Sequence, residues 1–192
     1  MCGITGFSLR NDFIESEKIT NQKLIQLLKK SSKLINHRGP DDEGSFIDNK
    51  SGIGLAHRRL SILDTSRNGR QPMQLENKQI SIIFNGEIYN FLELKTKLED
   101  CKKINWRSNS DTEVLLNLYK YYLDTNQGLN KFFQSLNGIF SIAIWDSSKK
   151  ELIVARDSFG VKPLYSYKIK NGFFFASEIK AFSSFKLDKS FE

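Results

Sequence analysis

Residues 1–7 have the sequence Met-Cys-Gly-Ile-Thr-Gly-Phe. This short apolar run, interrupted by glycine, predicts a strand at the very beginning of the chain, in which Gly3 and Gly6 let the backbone pack closely and admit a ligand near the sulfur. Once Met1 is removed, Cys2 carries both a thiol and a free α-amine, whose reference pKa is about 7.7–8.0. One residue can then supply nucleophile and base. The alternative is a small buried hydrophobic residue, and Cys2 alone favours that alternative.

Downstream of this strand, helical and strand patterns follow one another. Amphipathic helices are predicted at Thr20–Ile35, Asn90–Cys101 and Val114–Leu123, with capping-box spacing at Asn90/Glu93 and Ser110/Glu113. Loops are predicted at His37–Gly44 and Asp64–Pro72. Further strands are predicted at Gly52–Leu63, Ile80–Ile88, Ile139–Asp146, Glu151–Arg156, Leu164–Ile169 and Phe173–Ala176, the last four as an antiparallel meander. Helices that are segregated from antiparallel strands predict an α+β domain.

Composition narrows the function classes. The 192 residues suit one sizeable core, and no apolar run approaches the roughly 18 residues of a membrane helix. The amino terminus lacks a secretory pattern, so we expect a cytoplasmic protein with reduced cysteines and no membrane partner. Cys2 and Cys101 have no ligand neighbours at zinc spacing, so no metal is expected. The net charge of +7 is spread over the chain without a nucleic-acid-binding signature, and indicates a solvated surface.

The segment Phe84-Asn85-Gly86-Glu87-Ile88-Tyr89-Asn90 is a second candidate for chemistry. An apolar strand that runs into Asn-Gly presents a side-chain amide and an unhindered backbone N–H. Two such donors can stabilise the oxyanion of an acyl-transfer reaction. A hairpin turn is the usual meaning of Asn-Gly and stays open here.

Charged residues in two further segments can bind an amino acid. In a strand, Arg58 and Arg59 point to opposite faces, so one of them faces inward and needs an anion. A protein carboxylate is the more common partner of such an arginine, and the adjacent His57 is more often structural than catalytic. Asp111, in Ser-Asp-Thr-Glu 110–113, suits a helix start and can also accept hydrogen bonds from an ammonium group.

These segments together resemble the glutaminase domain of class II glutamine amidotransferases, closest to the asparagine synthetase branch. The resemblance rests on seven blocks in order, and they are 1–7, His-Arg-Gly-Pro-Asp-Asp 37–42, His-Arg-Arg-Leu-Ser-Ile-Leu-Asp 57–64, Gln-Pro-Met 71–73, 84–90, 110–113 and Arg-Asp-Ser-Phe-Gly-Val-Lys-Pro-Leu-Tyr 156–165. The resemblance implies the amino-terminal-nucleophile hydrolase fold, a four-layer αββα sandwich with two antiparallel sheets, over residues 1–192.

The resemblance also implies an enzyme and its site. Cys2 would attack the side-chain amide of L-glutamine, and Asn85 and Gly86 would form the oxyanion hole. The residues implied to bind glutamine are Arg59, Leu60, Ser61, Ile62, Leu63, Asn85, Gly86, Glu87 and Asp111. Arg59 would hold the substrate carboxylate and Asp111 the ammonium.

The same resemblance implies a partner. Members of this branch feed ammonia to an ATP-dependent synthetase domain, and its Ser-Gly-Gly-x-Asp-Ser loop is absent from residues 1–192. We therefore expect no cofactor in this domain, and expect ATP and Mg²⁺ only in a partner synthetase domain in cis or in trans. The ammonia acceptor, aspartate by default in the family, and the oligomeric state, a homodimer included, stay open. So does a catalytically idle docking or regulatory domain that retains Met1.

Overall fold

The computed structural model describes residues 1–185; residues 186–192 of the predicted domain lie outside the described residues. The strands are β1 (Gly3–Leu9), β2 (Asp42–Asp48), β3 (Ile53–Arg59), β4 (Met73–Gln74), β5 (Ile80–Ile88), β6 (Gly138–Asp146), β7 (Glu151–Arg156), β8 (Tyr165–Ile169) and β9 (Gly172–Ala176). The helices are α1 (Asn11–Ser16), α2 (Asn21–Leu34), α3 (Phe91–Cys101), α4 (Asp111–Asp124) and α5 (Gly128–Gln134), with 3₁₀ turns at Asn36–Arg38, Arg67–Gly69 and Ile179–Phe185.

The strands form two antiparallel sheets. Sheet A has the order β2-β3-β1-β9-β8, and sheet B has the order β4-β5-β6-β7. In sheet A, β1 is the central strand and pairs with β3 on one side and β9 on the other. The strand that carries Cys2 at its start is therefore held along both edges.

Three apolar clusters arrange these sheets into four layers. The outer face of sheet A packs against α2 and the 3₁₀ turn at Ile179–Phe185, with Phe7 and Leu24 among the buried side chains. The inner faces of the two sheets meet around Ile4, Ile83 and Phe175. The outer face of sheet B is covered by helices, and that cluster is formed by side chains including Ile82, Phe84, Leu115, Tyr119 and Phe132. This αββα order confirms the predicted fold class.

Local sequence explains several of these elements. The hydroxyl of Thr20 accepts a hydrogen bond from the Lys23 N–H, so α2 begins with a side-chain cap. Gly6 lies on the inner face of β1, where an added Cβ would come within 2.4 Å of Phe175 Cζ. The missing side chain at Gly6 therefore makes room for a buried ring between the sheets, rather than for a ligand.

Three predictions about elements are wrong. Asp42–Gly44, predicted as loop, belong to β2, which can carry charges because it is the outermost strand of sheet A. The predicted meander is two hairpins in different sheets, since β6–β7 lies in sheet B and β8–β9 in sheet A. Asn90 does not form a capping box with Glu93, because its side chain bonds the backbone of Ser135 and Asn137.

Candidate active site

Strands β1, β3 and β5 and the start of α4 converge on one cavity of about 170 Å³. Its lining consists of Met1, Cys2, Arg59, Leu60, Ile62, Leu63, Asp64, Gln71, Phe84, Asn85, Gly86, Glu87, Asp111, Thr112 and Lys162. All the predicted site residues except Ser61 are in this set. The N–H of Ser61 instead donates to the carboxylate of Asp41 at 2.8 Å, and Ser61 lines an adjacent cleft.

The sulfur of Cys2 is fixed by the backbone at the end of β3. The Leu60 N–H donates to Sγ at 3.4 Å, and the thiol donates to the Leu60 carbonyl at 3.5 Å. Burial raises the pKa of the Cys2 thiol above its ordinary value, and the hydrogen bond with Leu60 opposes that rise. Because its pKa is raised, this thiol needs a base to remove its proton before the sulfur can act as a nucleophile.

The backbone of Cys2 is held from the other side by a buried arginine. Arg38 Nε donates to the Cys2 carbonyl at 2.9 Å, and Arg38 Nη1 donates to a carboxylate oxygen of Glu178 at 3.2 Å. The ring of His37 bonds the same Glu178 oxygen at 2.8 Å. Cys2 is thus anchored at both its side chain and its carbonyl group.

The open edge of β5 faces the cavity. Beyond its short pairing with β4, the Phe84 N–H donates to Gln71 Oε1 at 2.6 Å and the Ile88 N–H donates to Asp111 Oδ2 at 3.2 Å. In an antiparallel ladder, alternate residues direct their backbone groups to the same edge. The N–H of Gly86, halfway between Phe84 and Ile88, therefore points to this edge as well.

Asn85 lies beside this edge and is almost fully buried. Its side-chain nitrogen donates to Ser141 Oγ of the paired strand β6 at 3.3 Å. An amide nitrogen carries two hydrogens, so the bond to Ser141 orients Asn85 and leaves one hydrogen for another acceptor.

Arg59 is the inward member of the arginine pair, as the strand alternation predicts. It is 7% exposed and its guanidinium donates to the carbonyl oxygens of Asp64 and Ser66. Gly69 permits this arrangement, since an added Cβ would lie 2.2 Å from Arg59 Nη2. Arg58 instead faces α2 and pairs with Glu43.

The carboxylate of Asp111 lies at the start of α4, which Ser110 caps by accepting a bond from the Glu113 N–H. Burial raises the pKa of Asp111 to about 6, while the bond from the Ile88 N–H acts in the opposite direction. At neutral pH the cavity therefore presents a buried, negatively charged group opposite the cationic Arg59.

Six lining residues were not predicted from sequence as site residues: Met1, Asp64, Gln71, Phe84, Thr112 and Lys162. Each lies within or directly beside a block quoted above, so proximity in sequence was the available signal. Lys162 reaches the site because its own N–H and those of Phe159 and Val161 all donate to the Asp157 carboxylate, which shapes the loop after β7.

Among residues 1–185, His, Cys, Asp and Glu side chains form no group of three or more that could bind a metal ion. None of the helices in the same residues is long and apolar enough to cross a membrane.

The sequence that forms this site is similar to those of known proteins. The glutamine amidotransferase domain family matches residues 1–191. The chain belongs to this class II glutamine amidotransferase family. An asparagine synthetase (glutamine-hydrolysing) of Bacillus subtilis is 40% identical over 181 residues, which are 94% of this chain and 26% of that protein. Amidase chry2 of Gibberella zeae is 37% identical over 190 residues, which are 98% of this chain and 27% of that protein.

The solved structures that resemble the amidotransferase domain agree on its fold. A glutamine phosphoribosylpyrophosphate amidotransferase from B. subtilis superposes with a TM-score of 0.67 at 22% identity, over 95% of this chain and 43% of that one. These comparisons confirm the predicted family and fold. The domain spans about a quarter of the length of the first curated relatives that it matches.

Proposed function

We propose that the amidotransferase domain hydrolyses L-glutamine to L-glutamate and ammonia through a γ-glutamyl thioester on Cys2. One observation carries this proposal: a single cavity is lined by the thiol of Cys2, the donors of Asn85 and Gly86, and the opposite charges of Arg59 and Asp111. A nucleophile, an oxyanion hole and an amino-acid clamp are the parts that amide hydrolysis needs.

The reaction begins at the mature amino terminus. The α-amine of Cys2 takes the thiol proton, directly or through a water, and the thiolate attacks the amide carbon of glutamine. Asn85 Nδ2 and the Gly86 N–H stabilise the oxyanion that forms. The C–N bond breaks, the amine returns its proton to the leaving nitrogen, and ammonia departs. Water then attacks the thioester and releases glutamate with the thiol restored.

The clamp accounts for selection of glutamine. Arg59 binds the α-carboxylate and Asp111 the α-ammonium, while backbone groups near Ile62 and Glu87 complete the pocket. The carbonyl groups of Asp64 and Ser66 hold the guanidinium in place before the substrate arrives, which reduces the entropy lost on binding.

The names of the relatives support a use for the ammonia. We propose that the domain supplies ammonia to an ATP-dependent synthetase domain that amidates a carboxylate, in cis or in trans, because several relatives are named glutamine-hydrolysing asparagine synthetases. Aspartate is the default acceptor, and ATP and Mg²⁺ belong to the partner domain. The cytoplasmic location stays a prediction.

Cysteine replacement tests the proposal. Cys2→Ala is expected to abolish glutamate release while it leaves the unfolding midpoint close to that of the native chain. Cys101→Ala is the matched control, because Cys101 is exposed and outside the cavity, and should keep full activity. Native-level glutamate release by Cys2→Ala would rule the mechanism out.

Intact mass distinguishes the enzyme from an idle docking domain. Met1 is 59% exposed and lines the same cavity as Cys2. We expect the active protein to lack one methionine, measured on the sample that is assayed. A sample that keeps Met1 and still releases glutamate would show that the free amine is not needed.

A further inference from the structure

At the open edge of β5, one N–H is bonded by the side chain of Gln71, a residue that has no role in the proposed chemistry. Strand β4 pairs with β5 only at Met73 and Gln74. Gln71 comes two residues before this strand and its side chain replaces the missing backbone partner: its Oε1 accepts the N–H of Phe84 at 2.6 Å. Phe84 directly precedes Asn85 in the chain, so this bond fixes the backbone that carries the oxyanion donors.

The other end of the Gln71 amide is also fixed. Its Nε2 donates to the hydroxyl of Thr112 at 3.1 Å, in the first turn of α4 next to Asp111. The Phe84 N–H can only donate, so it faces the oxygen of the Gln71 amide, and the Thr112 hydroxyl accepts from the nitrogen at the other end. Gln71 is 6% exposed, so neither bond is readily exchanged for water.

The backbone of Gln71 is held as closely as its side chain. An added Cβ at Gly44 would lie 2.0 Å from the Gln71 carbonyl oxygen, so sheet A packs directly against this residue. Gln71 therefore connects the edge of sheet A, the strand of the oxyanion donors and the helix that carries Asp111.

We propose that Gln71 is a positioning residue that sets the place of Asn85 and Gly86 relative to the Cys2 sulfur by tying Phe84 to Thr112. It acts through these donors and does not touch the reacting atoms. Oxyanion donors act on the transition state, and a displacement of about 1 Å at a catalytic group can cost about 100-fold in rate. Loss of Gln71 is thus expected to lower kcat more than it changes KM. This inference rests on the proposed glutaminase function.

The test uses the processed full chain and two matched variants. Gln71→Met removes both hydrogen bonds at similar volume, and kcat for glutamine hydrolysis should fall at least about 10-fold with KM within about twofold. Gln74→Met is the control, because Gln74 Nε2 makes a comparable bond to Ser81 of the same strand, outside the cavity. Its kcat should match that of the native chain. A Gln71→Met variant that behaves like Gln74→Met overturns the inference.

A double-mutant cycle separates positioning from a general structural role. In an Asn85→Ala background the additional kcat loss from Gln71→Met should shrink to about threefold, because one donor that it positions is already gone. An equal loss in both backgrounds would mean that Gln71 acts independently of Asn85, and would overturn the proposal.

A second variant keeps the test decisive if Gln71→Met does not fold. Thr112→Val leaves the Gln71–Phe84 bond possible but releases the other end of the amide, and should lower kcat about threefold with the same dependence on Asn85. An unchanged kcat in a folded Thr112→Val protein would then contradict the inference. An inactive native chain would instead refute the proposed function, and this inference with it.

Discussion

At the scale of single residues, burial controls the charges at the site. Two adjacent arginines lie in different surroundings, because strand alternation directs Arg59 to the cavity and Arg58 to α2. Strand alternation predicts that division, and only the family resemblance indicates Arg59 as the inward arginine, since the partner of either side chain depends on which layers pack on the two faces of β3. In the structure the guanidinium of Arg59 donates to the carbonyl groups of Asp64 and Ser66.

The raised pKa of Asp111 predicts a pH dependence of glutamine binding. The carboxyl must be ionised to bind an ammonium, and its pKa is about 6 in the free protein. In a Cys2→Ala background, where no turnover occurs, the Kd for glutamine should therefore rise about tenfold per pH unit below pH 6. Titration calorimetry between pH 5 and 8 measures it. Asp111→Asn in that background should bind weakly at every pH; an unchanged pH slope would exclude Asp111 as the ammonium ligand.

At the scale of elements, strongly patterned segments were predicted well and sheet membership was not. Strands β5 and β7 have the predicted bounds, Ile80–Ile88 and Glu151–Arg156, because alternating or continuous apolar residues mark buried strands. The assignment of β6–β7 and β8–β9 to different sheets could not be predicted from their sequences, because local patterns do not encode which sheet a hairpin joins. Strand β2 was missed because an edge strand tolerates charge.

Helix capping gives a prediction at this scale. Ser110→Ala removes the cap of α4 and Thr20→Ala removes the cap of α2, and each should lower the free energy of unfolding by about 1 kcal/mol in urea titrations. Only Ser110→Ala should also raise the KM for glutamine, because α4 carries Asp111 in its first turn. A KM that rises equally in both variants would show a global rather than a local effect.

At the scale of the whole molecule, the two sheets are joined by a buried polar contact. The ring of His57, in β3, bonds through Nε2 to the carbonyl of Phe84, in β5, at 3.0 Å. Burial lowers the pKa of His57 to about 4, so the ring is neutral at pH 7. A neutral ring donates one hydrogen bond, and the Phe84 carbonyl accepts it. A structural role, which the sequence favoured for His57, agrees with this position.

Burial of His57 and of Asp111 has opposite consequences for stability. Between pH 6.5 and 4, His57 is protonated in the unfolded chain but stays neutral in the folded one. Acidification over this range therefore lowers the free energy of unfolding by about 3 kcal/mol. The folded pKa of Asp111, about 6, exceeds the ordinary value of 3.8 for an aspartate, so the ionised carboxylate lowers the free energy of unfolding above pH 6. Acidification restores about 3 kcal/mol of it. The two contributions therefore oppose each other during acidification.

Single replacements should therefore reveal each contribution in urea unfolding at pH 7, 5.5 and 4. Asp111→Asn leaves the His57 effect alone and should lose stability on acidification more steeply than the native chain. His57→Gln leaves the Asp111 effect and should lose stability less steeply. Parallel pH profiles for all three proteins would contradict the assigned burial effects.

The contact between the two ends of the described chain has a consequence for biosynthesis. Ile4 exchanges hydrogen bonds with Ser177, which lies 173 residues further along, and Glu178 holds the arginine that binds the Cys2 carbonyl. A chain is synthesised from its amino terminus, so Cys2 emerges from the ribosome well before Ser177 and Glu178 are made. We expect the cavity to assemble only after translation has passed residue 178, and glutamine hydrolysis to begin no earlier than that.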